Sequence, residues 1–206
     1  MKLYAFTGAC SLGPHIALHE LGLEHELELL KPKQGDLQSA EHLARNPLGM
    51  VPVLEFEPGK YLTECGAILQ FLADRKPESG LAPAPTDFER YRLQEWLSFV
   101  ATELHKSFYP LFFGSQILKE DQAARQQMVE FYASRLEKRW QVVSDRLGDR
   151  EWLLESGYSV ADIYLYVVLS WWLFLKRSLE TWPNLASFVE RMRARPAVAA
   201  AHRAEG

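Results

Sequence analysis

The sequence predicts an α/β domain, a linker and an all-helical domain. In fewer than eighty residues, apolar segments follow the order strand, helix, strand and then strand, strand, helix. The segment from Pro77 to Pro85 reads PESGLAPAP, and its three prolines and one glycine are typical of a semi-rigid linker. Beyond this segment all the periodic patterns are helical. We therefore expect domains at residues 1–77 and 87–206, joined by a linker at 78–86.

The first domain opens with a strand at Leu3–Phe6, followed by a turn and a helix that Gly22 closes. Strands are then expected at 26–30, 50–56 and 60–62, helices at 38–44 and 65–75, and a basic loop at 31–35. Pro58 and Gly59 lie between the last two strands and favour a hairpin. Pro47 stops the helix at 38–44, because a residue before proline avoids helical geometry.

The second domain begins with a capping box, Thr86 and Glu89, that opens a long helix. Pro110 ends or kinks this helix. Ser159 and Asp162 form a second N-cap pair, and the helix after them is apolar on nearly all sides. We expect that helix at the buried centre of the domain. Two more helices are predicted, one at 128–147 and a last one at 185–195 that stops before Pro196.

The composition excludes several classes of protein. Hydrophobic residues make up 48% of the chain and charged residues 24%, which are values typical of a globular protein. The net charge of −4, with basic residues spread throughout, argues against nucleic-acid binding. The longest apolar run, Ile163–Leu175, is shorter than the roughly 20 residues that span a bilayer. The chain has no signal-peptide pattern and too few cysteines for a disulfide framework, so we predict a cytoplasmic protein without membrane partners. No Cys or His cluster has zinc spacing, so we predict no metal partner.

Cys10 is the first candidate for chemistry, because it lies where the first strand gives way to the first helix. The amides of a first helical turn and the positive end of the helix dipole stabilise a thiolate. Such a position can lower a thiol pKa from about 8.5 to roughly 3.5–7.5. The alternative is a small buried apolar residue, a role that suits a lone cysteine equally well. On the functional interpretation, Cys10 is a nucleophile at neutral pH.

Two further segments have the chemistry to bind a peptide-like ligand. Val51 precedes Pro52 at the start of a predicted strand, where a cis bond would turn the Val51 backbone toward an extended ligand. Glu64 and Cys65 begin a helix, where the carboxylate can bind an ammonium group and the first amides can bind a carboxylate. The alternative for this second segment is ordinary helix capping by Thr63.

The long helix contributes two polar candidates, Ser98 and His105. They are seven residues apart, which places them two helical turns apart on one face. A lone helical histidine is usually a satisfied surface or boundary residue, so His105 gains meaning only from the other candidates.

Together with their neighbours, these residues form a set of motifs that runs from one end of the chain to the other. The motifs are GACSL at 8–12 with PHIAL at 14–18, NPLG at 46–49 with VPVL at 51–54, LTE at 62–64, EWL at 95–97, ATELHK at 101–106, SVAD at 159–162 and RP at 195–196. In these motifs the chain resembles the cytosolic glutathione S-transferases, and in particular the bacterial beta class, which carries a cysteine at the first turn. The resemblance implies an α/β thioredoxin-like N-terminal domain plus an all-α C-terminal domain. It also implies a homodimer, with glutathione bound as a substrate in the cleft between the domains.

The resemblance assigns roles around the reacting sulfur. Cys10 would face the glutathione sulfur, and His105 would reach toward the thiol from the second domain. Val51, before a cis Pro52, would pair with the backbone of the cysteinyl residue.

It also assigns roles at the two ends of the ligand. Glu64 and Cys65 would hold the γ-glutamyl end, although a small residue is more common at the position of Cys65, and a thiol is a weak donor. Ser98 stands where beta-class members often have asparagine. Either Lys33 or Lys31, in the loop after the second strand, would contact the glycyl carboxylate.

We expect a bacterial enzyme that conjugates reduced glutathione to small hydrophobic electrophiles, a detoxification reaction, and that exchanges thiols and disulfides through Cys10. The alternatives are a glutathione-dependent isomerase or reductive dehalogenase on the same scaffold, and a non-enzymatic ligand-binding or protein-interaction module. Six aromatic residues either line the electrophile pocket or belong to the core: Phe108, Tyr109, Phe112, Phe113, Trp171 and Trp172.

Overall fold

The structure is a computed structural model that describes all 206 residues, from Met1 to Gly206. Its N-terminal half contains one sheet of four strands, β1 Lys2–Ala5, β2 Glu26–Leu29, β3 Val53–Glu57 and β4 Lys60–Thr63. Their order across the sheet is β2-β1-β3-β4, with β1 and β2 parallel and the other two pairs antiparallel. The parallel pair requires a crossover helix, whereas the antiparallel pair β3–β4 requires only the turn at Pro58 and Gly59.

Three helices connect these strands: α1 Leu12–Glu20, α2 Ala40–Arg45 and α3 Cys65–Asp74. The apolar side chains of the sheet and of two of these helices meet in one cluster, in which Leu3, Leu54, Ile16 and Ile68 are fully buried. The predicted basic loop contains a short 3-10 turn at Pro32–Gln34, because proline suits the first position of a helical turn. The predicted thioredoxin-like domain is confirmed.

The remainder of the chain is helical, with α4 Phe88–Phe99, α5 Tyr109–Ile117, α6 Gln122–Leu147, α7 Val160–Phe174, α8 Pro183–Arg193 and α9 Pro196–Glu205. As predicted, α7 is buried along nearly its whole length. Ser159 and Asp162 form its capping box, in which each side chain accepts a hydrogen bond from the backbone of the other. The carboxylate of Asp162 also accepts from the amide of Leu153 at 2.9 Å, which ties the preceding loop to the helix.

The predicted ends of the long helix are wrong at both sides. Its N-cap is Asp87 rather than Thr86, because the Asp87 carboxylate accepts from the amide of Glu89 at 2.9 Å. At the other end a π-helical turn and then a 3-10 turn at His105–Phe108 follow α4. Pro110 instead lies in the first turn of α5, where its missing amide leaves no hydrogen bond unmade.

The prediction that the helix before Pro196 is the last one is also wrong. Pro196 does follow the end of α8, but it opens α9, a helix that the sequence pattern missed. Proline is compatible with the first turn of a helix, and the small residues after it form a face with Val198 and Ala201 buried.

The two halves share one continuous hydrophobic cluster, which includes Leu18 of α1, Leu69 of α3 and Val168 of α7. Helix α1 packs against both α7 and α9, so the C-terminal half covers the N-terminal one. The exact limits predicted for the domains and linker stay a prediction. None of the helices has both the length and the apolar character that a bilayer crossing requires.

Candidate functional site

Cys10 lies in the turn between β1 and α1, where only 8% of its surface is exposed. Its thiol donates a hydrogen bond to the carbonyl oxygen of Val51, with 3.5 Å between Sγ and the oxygen. The Val51–Pro52 peptide bond is cis, as predicted. The structure therefore brings together three of the predicted site residues from two separate segments.

The predicted low pKa of Cys10 is wrong for the free protein. Burial raises the pKa of the Cys10 thiol to about 12, because a thiolate at this position would lose its hydration. Hydrogen bonds from the backbone amides of Cys10 and Ser11 act in the opposite direction, but they are outweighed. In addition, α1 begins only at Leu12, with Ser11 as its N-cap. Cys10 is consequently a protonated thiol.

Glu64 immediately precedes α3 and presents an exposed carboxylate. It occupies the N-cap position that Thr63 was expected to hold, with a positive φ of 68°. Only one other non-glycine residue in the chain has a positive φ. A backbone conformation of this kind costs on the order of 1–3 kcal/mol and is common at ligand-binding sites.

Cys65 lies behind Cys10 and faces the protein interior. Its thiol is buried and donates to the carbonyl oxygen of Cys10 across 3.6 Å. Burial, followed by the nearby Cys10, raises the pKa of Cys65 well above its usual range. The side chain of Cys65 thus supports the Cys10 turn, and a ligand at this helix end has only the backbone of Cys65 to bind.

His105 lies in the 3-10 turn after α4, where its Nδ1 is 2.7 Å from the hydroxyl of Tyr164. Its ring packs edge-on against Trp171, with 4.8 Å between the ring centroids. Burial lowers the pKa of His105 to about 4, and the adjacent Lys106 contributes in the same direction. His105 is therefore neutral near pH 7, and no direct hydrogen bond joins it to Cys10 in the free chain.

The remaining polar candidates are exposed. Ser98 is on α4, and a π-helical turn lies between it and His105. This turn breaks the regular α-helical spacing, so the argument that placed Ser98 and His105 on one helix face no longer applies. Lys31 and Lys33 lie in or beside the turn after β2, and neither ammonium group takes part in an ion pair. The structure does not favour one lysine over the other.

The aromatic candidates divide into two groups. Trp171 donates its indole N–H to the carbonyl oxygen of Gly8 at 2.8 Å, which places the ring against the Cys10 turn. Phe108 and Phe112 pack against Trp171, with centroid distances of 5.5 and 5.8 Å. The side chains of Tyr109 and Phe113 are exposed nearby. Trp172 is a core residue instead.

The position of Trp172 follows from its place in the helix. It is next to Trp171 on α7 and therefore points in a different direction, where it packs against Trp140 with 6.1 Å between centroids. Its indole N–H donates to the carbonyl oxygen of Ser178. An open depression of about 660 Å³ between α4 and α6 is lined by none of the predicted site residues, so its size does not connect it with their chemistry.

Three contacts that shape the site were not predicted. Besides the Trp171–Gly8 bond and the Tyr164–His105 bond, Asn46 holds the turn before Val51, donating to the carbonyl oxygen of Met50 at 2.9 Å. The Asn-Pro-Leu-Gly sequence was a signal for the last of these, because asparagine side chains commonly bond to the backbone of a turn. The other two join segments far apart in the chain and left no local signal.

Comparison with known proteins explains this arrangement. A family model described as glutathione S-transferase, N-terminal domain, matches residues 1–74, and one described as glutathione S-transferase, C-terminal domain, matches residues 102–203. The glutathione S-transferase GstA of Escherichia coli O157:H7 is 39% identical, over 100% of this chain and 99% of the relative. This chain belongs to the glutathione S-transferase family.

Two solved structures refine the relationship. A bacterial beta-class glutathione S-transferase of Sphingomonas chungbukensis is 37% identical with a TM-score of 0.87, covering 100% of this chain and 99% of that one. A sphingomonad glutathione S-transferase complexed with glutathione is 38% identical with a TM-score of 0.88, at the same coverage of both chains. The predicted resemblance of this transferase to the beta class is confirmed.

Proposed function

We propose that this transferase conjugates reduced glutathione to small hydrophobic electrophiles and also exchanges thiols and disulfides through Cys10. The observation that carries the proposal is the hydrogen bond between the Cys10 thiol and the Val51 carbonyl, beside the exposed carboxylate of Glu64. A thiol, an available strand backbone and a free acid at a helix N-terminus complement the three functional parts of a γ-glutamyl peptide with a thiol.

In the proposed complex the carboxylate of Glu64 binds the α-ammonium group of the γ-glutamyl residue, and the amides of Cys65 and its neighbours bind the α-carboxylate. Val51 pairs through its backbone with the cysteinyl residue. Lys33 or Lys31 contacts the glycyl carboxylate, and Ser98 is a polar contact from α4. The exposure of Glu64 and of both lysines in the free chain supports these roles.

The high pKa of Cys10 gives this residue a definite part in conjugation. Because the thiol stays protonated, it can turn from the Val51 carbonyl to the glutathione sulfur and donate a hydrogen bond to the thiolate. A hydrogen bond to the charged form lowers the pKa of the glutathione thiol, which raises the fraction of the nucleophile. The thiolate then attacks the electrophile, whose apolar part packs against Trp171, Phe108 and Phe112.

Disulfide exchange requires Cys10 to lose its proton first, so we expect it to be the slower activity. The Cys10 thiolate attacks the glutathione sulfur of a mixed disulfide between glutathione and another thiol, the disulfide bond breaks, and the other thiol leaves as a thiolate. A glutathione thiolate then attacks the disulfide formed between Cys10 and glutathione, which regenerates the Cys10 thiolate and releases glutathione disulfide.

The test compares the wild type with Cys10→Ala on aryl halide electrophiles and on a mixed-disulfide substrate. We expect Cys10→Ala to conjugate the aryl halides at a lower rate than the wild type. The variant should lose the exchange reaction and should form no glutathione adduct detectable by mass spectrometry. An adduct on Cys65 with Cys10 unmodified would contradict the role of Cys10. Turnover only of isomerisation or dehalogenation substrates would favour those alternatives, and no turnover would favour a binding module.

We also propose a cytoplasmic homodimer, in which the N-terminal domain of one subunit packs against the C-terminal domain of the other. Two free cysteines support a reducing compartment. Tyr91, 61% exposed on α4, and Phe88 beside it are large apolar side chains that a partner would cover. Together with Gln94, Glu95 and the first turn of α3, they form the proposed seam. Conjugation of hydrophobic electrophiles is detoxification chemistry.

A further inference from the structure

Three histidines of the N-terminal domain, one buried and two half-buried, lie close together, and none of them is a predicted site residue. His15 and His19 are four residues apart on α1, and His25 returns to them just before β2. One nitrogen from each ring lies within 4.8 Å of the other two. Sequence spacing did not reveal this group, because the chain reverses direction at Gly22 between the second and third histidine.

The separation of two of these nitrogens already suits a metal. The Nε2 atoms of His15 and His19 are 3.2 Å apart. In a tetrahedral zinc site with Zn–N bonds of about 2.0–2.1 Å, ligand nitrogens are about 3.3 Å from each other. The longer separations involve the half-buried side chains of His19 and His25, which rotation can bring closer.

The outer nitrogens of two rings have the partners that metal-binding histidines have. The Nδ1 of His15 is 2.9 Å from the buried carboxylate of Glu205, and the Nδ1 of His25 is 2.8 Å from the carbonyl oxygen of Leu23. Both oxygens accept, so each Nδ1 carries the proton and each Nε2 keeps its lone pair. Such partners orient the ring and increase its basicity toward a metal.

Two charged residues of opposite sign, Arg203 and Glu205, lie beside the three rings. Arg203 acts on His19 against a bound cation, whereas the carboxylate of Glu205, bonded to His15, would attract one.

We propose that His15, His19 and His25 form a binding site for one zinc ion, with a water molecule as the fourth ligand. Imidazole nitrogens suit zinc among the divalent metals, and the half-buried His19 and His25 leave a path for the ion. The site connects α1 and the approach to β2 with α9, since Glu205 also accepts a hydrogen bond through its backbone from the Thr7 hydroxyl at 2.8 Å. Bound zinc would stabilise this junction of the two domains.

The experiment is a calorimetric titration of the tag-free full chain with zinc chloride. We expect one zinc ion per chain and a dissociation constant raised at least about 100-fold by His19→Ala or His25→Ala, since losing a ligand costs more than losing an outer partner. His202→Ala is the matched control, because this exposed histidine of α9 bonds to Tyr166 outside the cluster. X-ray absorption should show nitrogen and oxygen neighbours at about 2.0–2.1 Å and no sulfur at about 2.3 Å.

The variants His19→Gln and His25→Gln provide a second test, and thermal unfolding without zinc confirms that each variant is folded. Zinc should raise the melting temperature of the wild type and of His202→Ala, but not that of the cluster variants. Absence of stoichiometric binding would overturn the proposal. Sulfur ligation by the cysteines, or equal binding by wild type and cluster variants, would overturn it too. Neither result depends on transferase activity.

Discussion

The neutral state of His105 makes the stability of this transferase depend on pH. The substitution His105→Gln should remove this contribution to the pH dependence. Burial lowers the pKa of His105 from 6.5 to about 4. Between these values the unfolded chain binds a proton on this ring and the native protein does not, so acid favours unfolding. The contribution is absent well above pH 6.5, grows as the pH falls, and levels off below about 4.

The size of the effect follows from the interval between the unfolded pKa and the working pH. At pH 5 the interval below 6.5 is about 1.5 units, and each unit corresponds to about 1.4 kcal/mol, so His105 costs about 2 kcal/mol of stability relative to pH 7. His105→Gln has no such proton to bind. The variant should therefore lose about 2 kcal/mol less than the wild type between pH 7 and pH 5.

Urea unfolding at one fixed protein concentration measures this difference at the two pH values. Other titrating groups, including His19, contribute to both proteins and cancel in the comparison. Tyr164→Phe is the matched control: it removes the hydrogen bond to His105 but keeps the ring buried, so it should retain the pH dependence of the wild type. Equal losses in the wild type and His105→Gln would show that the native protein does protonate His105, and the burial argument would be wrong.

Two more predictions concern the ligand and the assembly. Glu64→Gln should weaken glutathione binding at least about tenfold in calorimetry, which corresponds to about 1.4 kcal/mol. Cys10→Ala should weaken it less, because the Glu64 carboxylate pairs with the full positive charge of the ligand ammonium group. If the two variants bind glutathione equally well, Glu64 is only a surface residue. Light scattering at micromolar concentration should report about twice the chain mass of 23.7 kDa, and Tyr91→Glu should shift it toward the monomer. An active wild-type monomer would refute the dimer.

The sequence predicted best where the determinants are local. The order of strands and helices follows from apolar periodicity, and the capping box of Ser159 and Asp162 follows from two side chains three residues apart. The π-helical turn after α4 could not be predicted in this way, because its residues, VATEL, fit a regular helix equally well. The N-cap lies at Asp87 and not at the predicted Thr86, because its position depends on where the chain leaves the linker.

The sequence predicted the position of the candidate nucleophile better than its pKa. The position of Cys10 at the end of a strand was correctly predicted, but its pKa was not. A helix terminus lowers a thiol pKa only if water or a cation can also solvate the thiolate, and the extent of burial depends on the opposite domain. The positive charge of Lys106 lowers the pKa of Cys10, yet burial outweighs it.

The helical domain therefore determines the chemistry of a residue that belongs to the thioredoxin-like domain. The turn that carries Cys10 is held from the C-terminal half by two hydrogen bonds, from Trp171 to the Gly8 carbonyl and from the Thr7 hydroxyl to the Glu205 carbonyl. Both bonds are made by residues two or three positions before the cysteine, so a shift of α7 or α9 would move the thiol relative to Val51. In the proposed complex, the hydrogen bond from Cys10 to the glutathione thiolate requires the thiol to be placed within a few tenths of an ångström, so we expect the packing of the two domains to set the geometry of that contact.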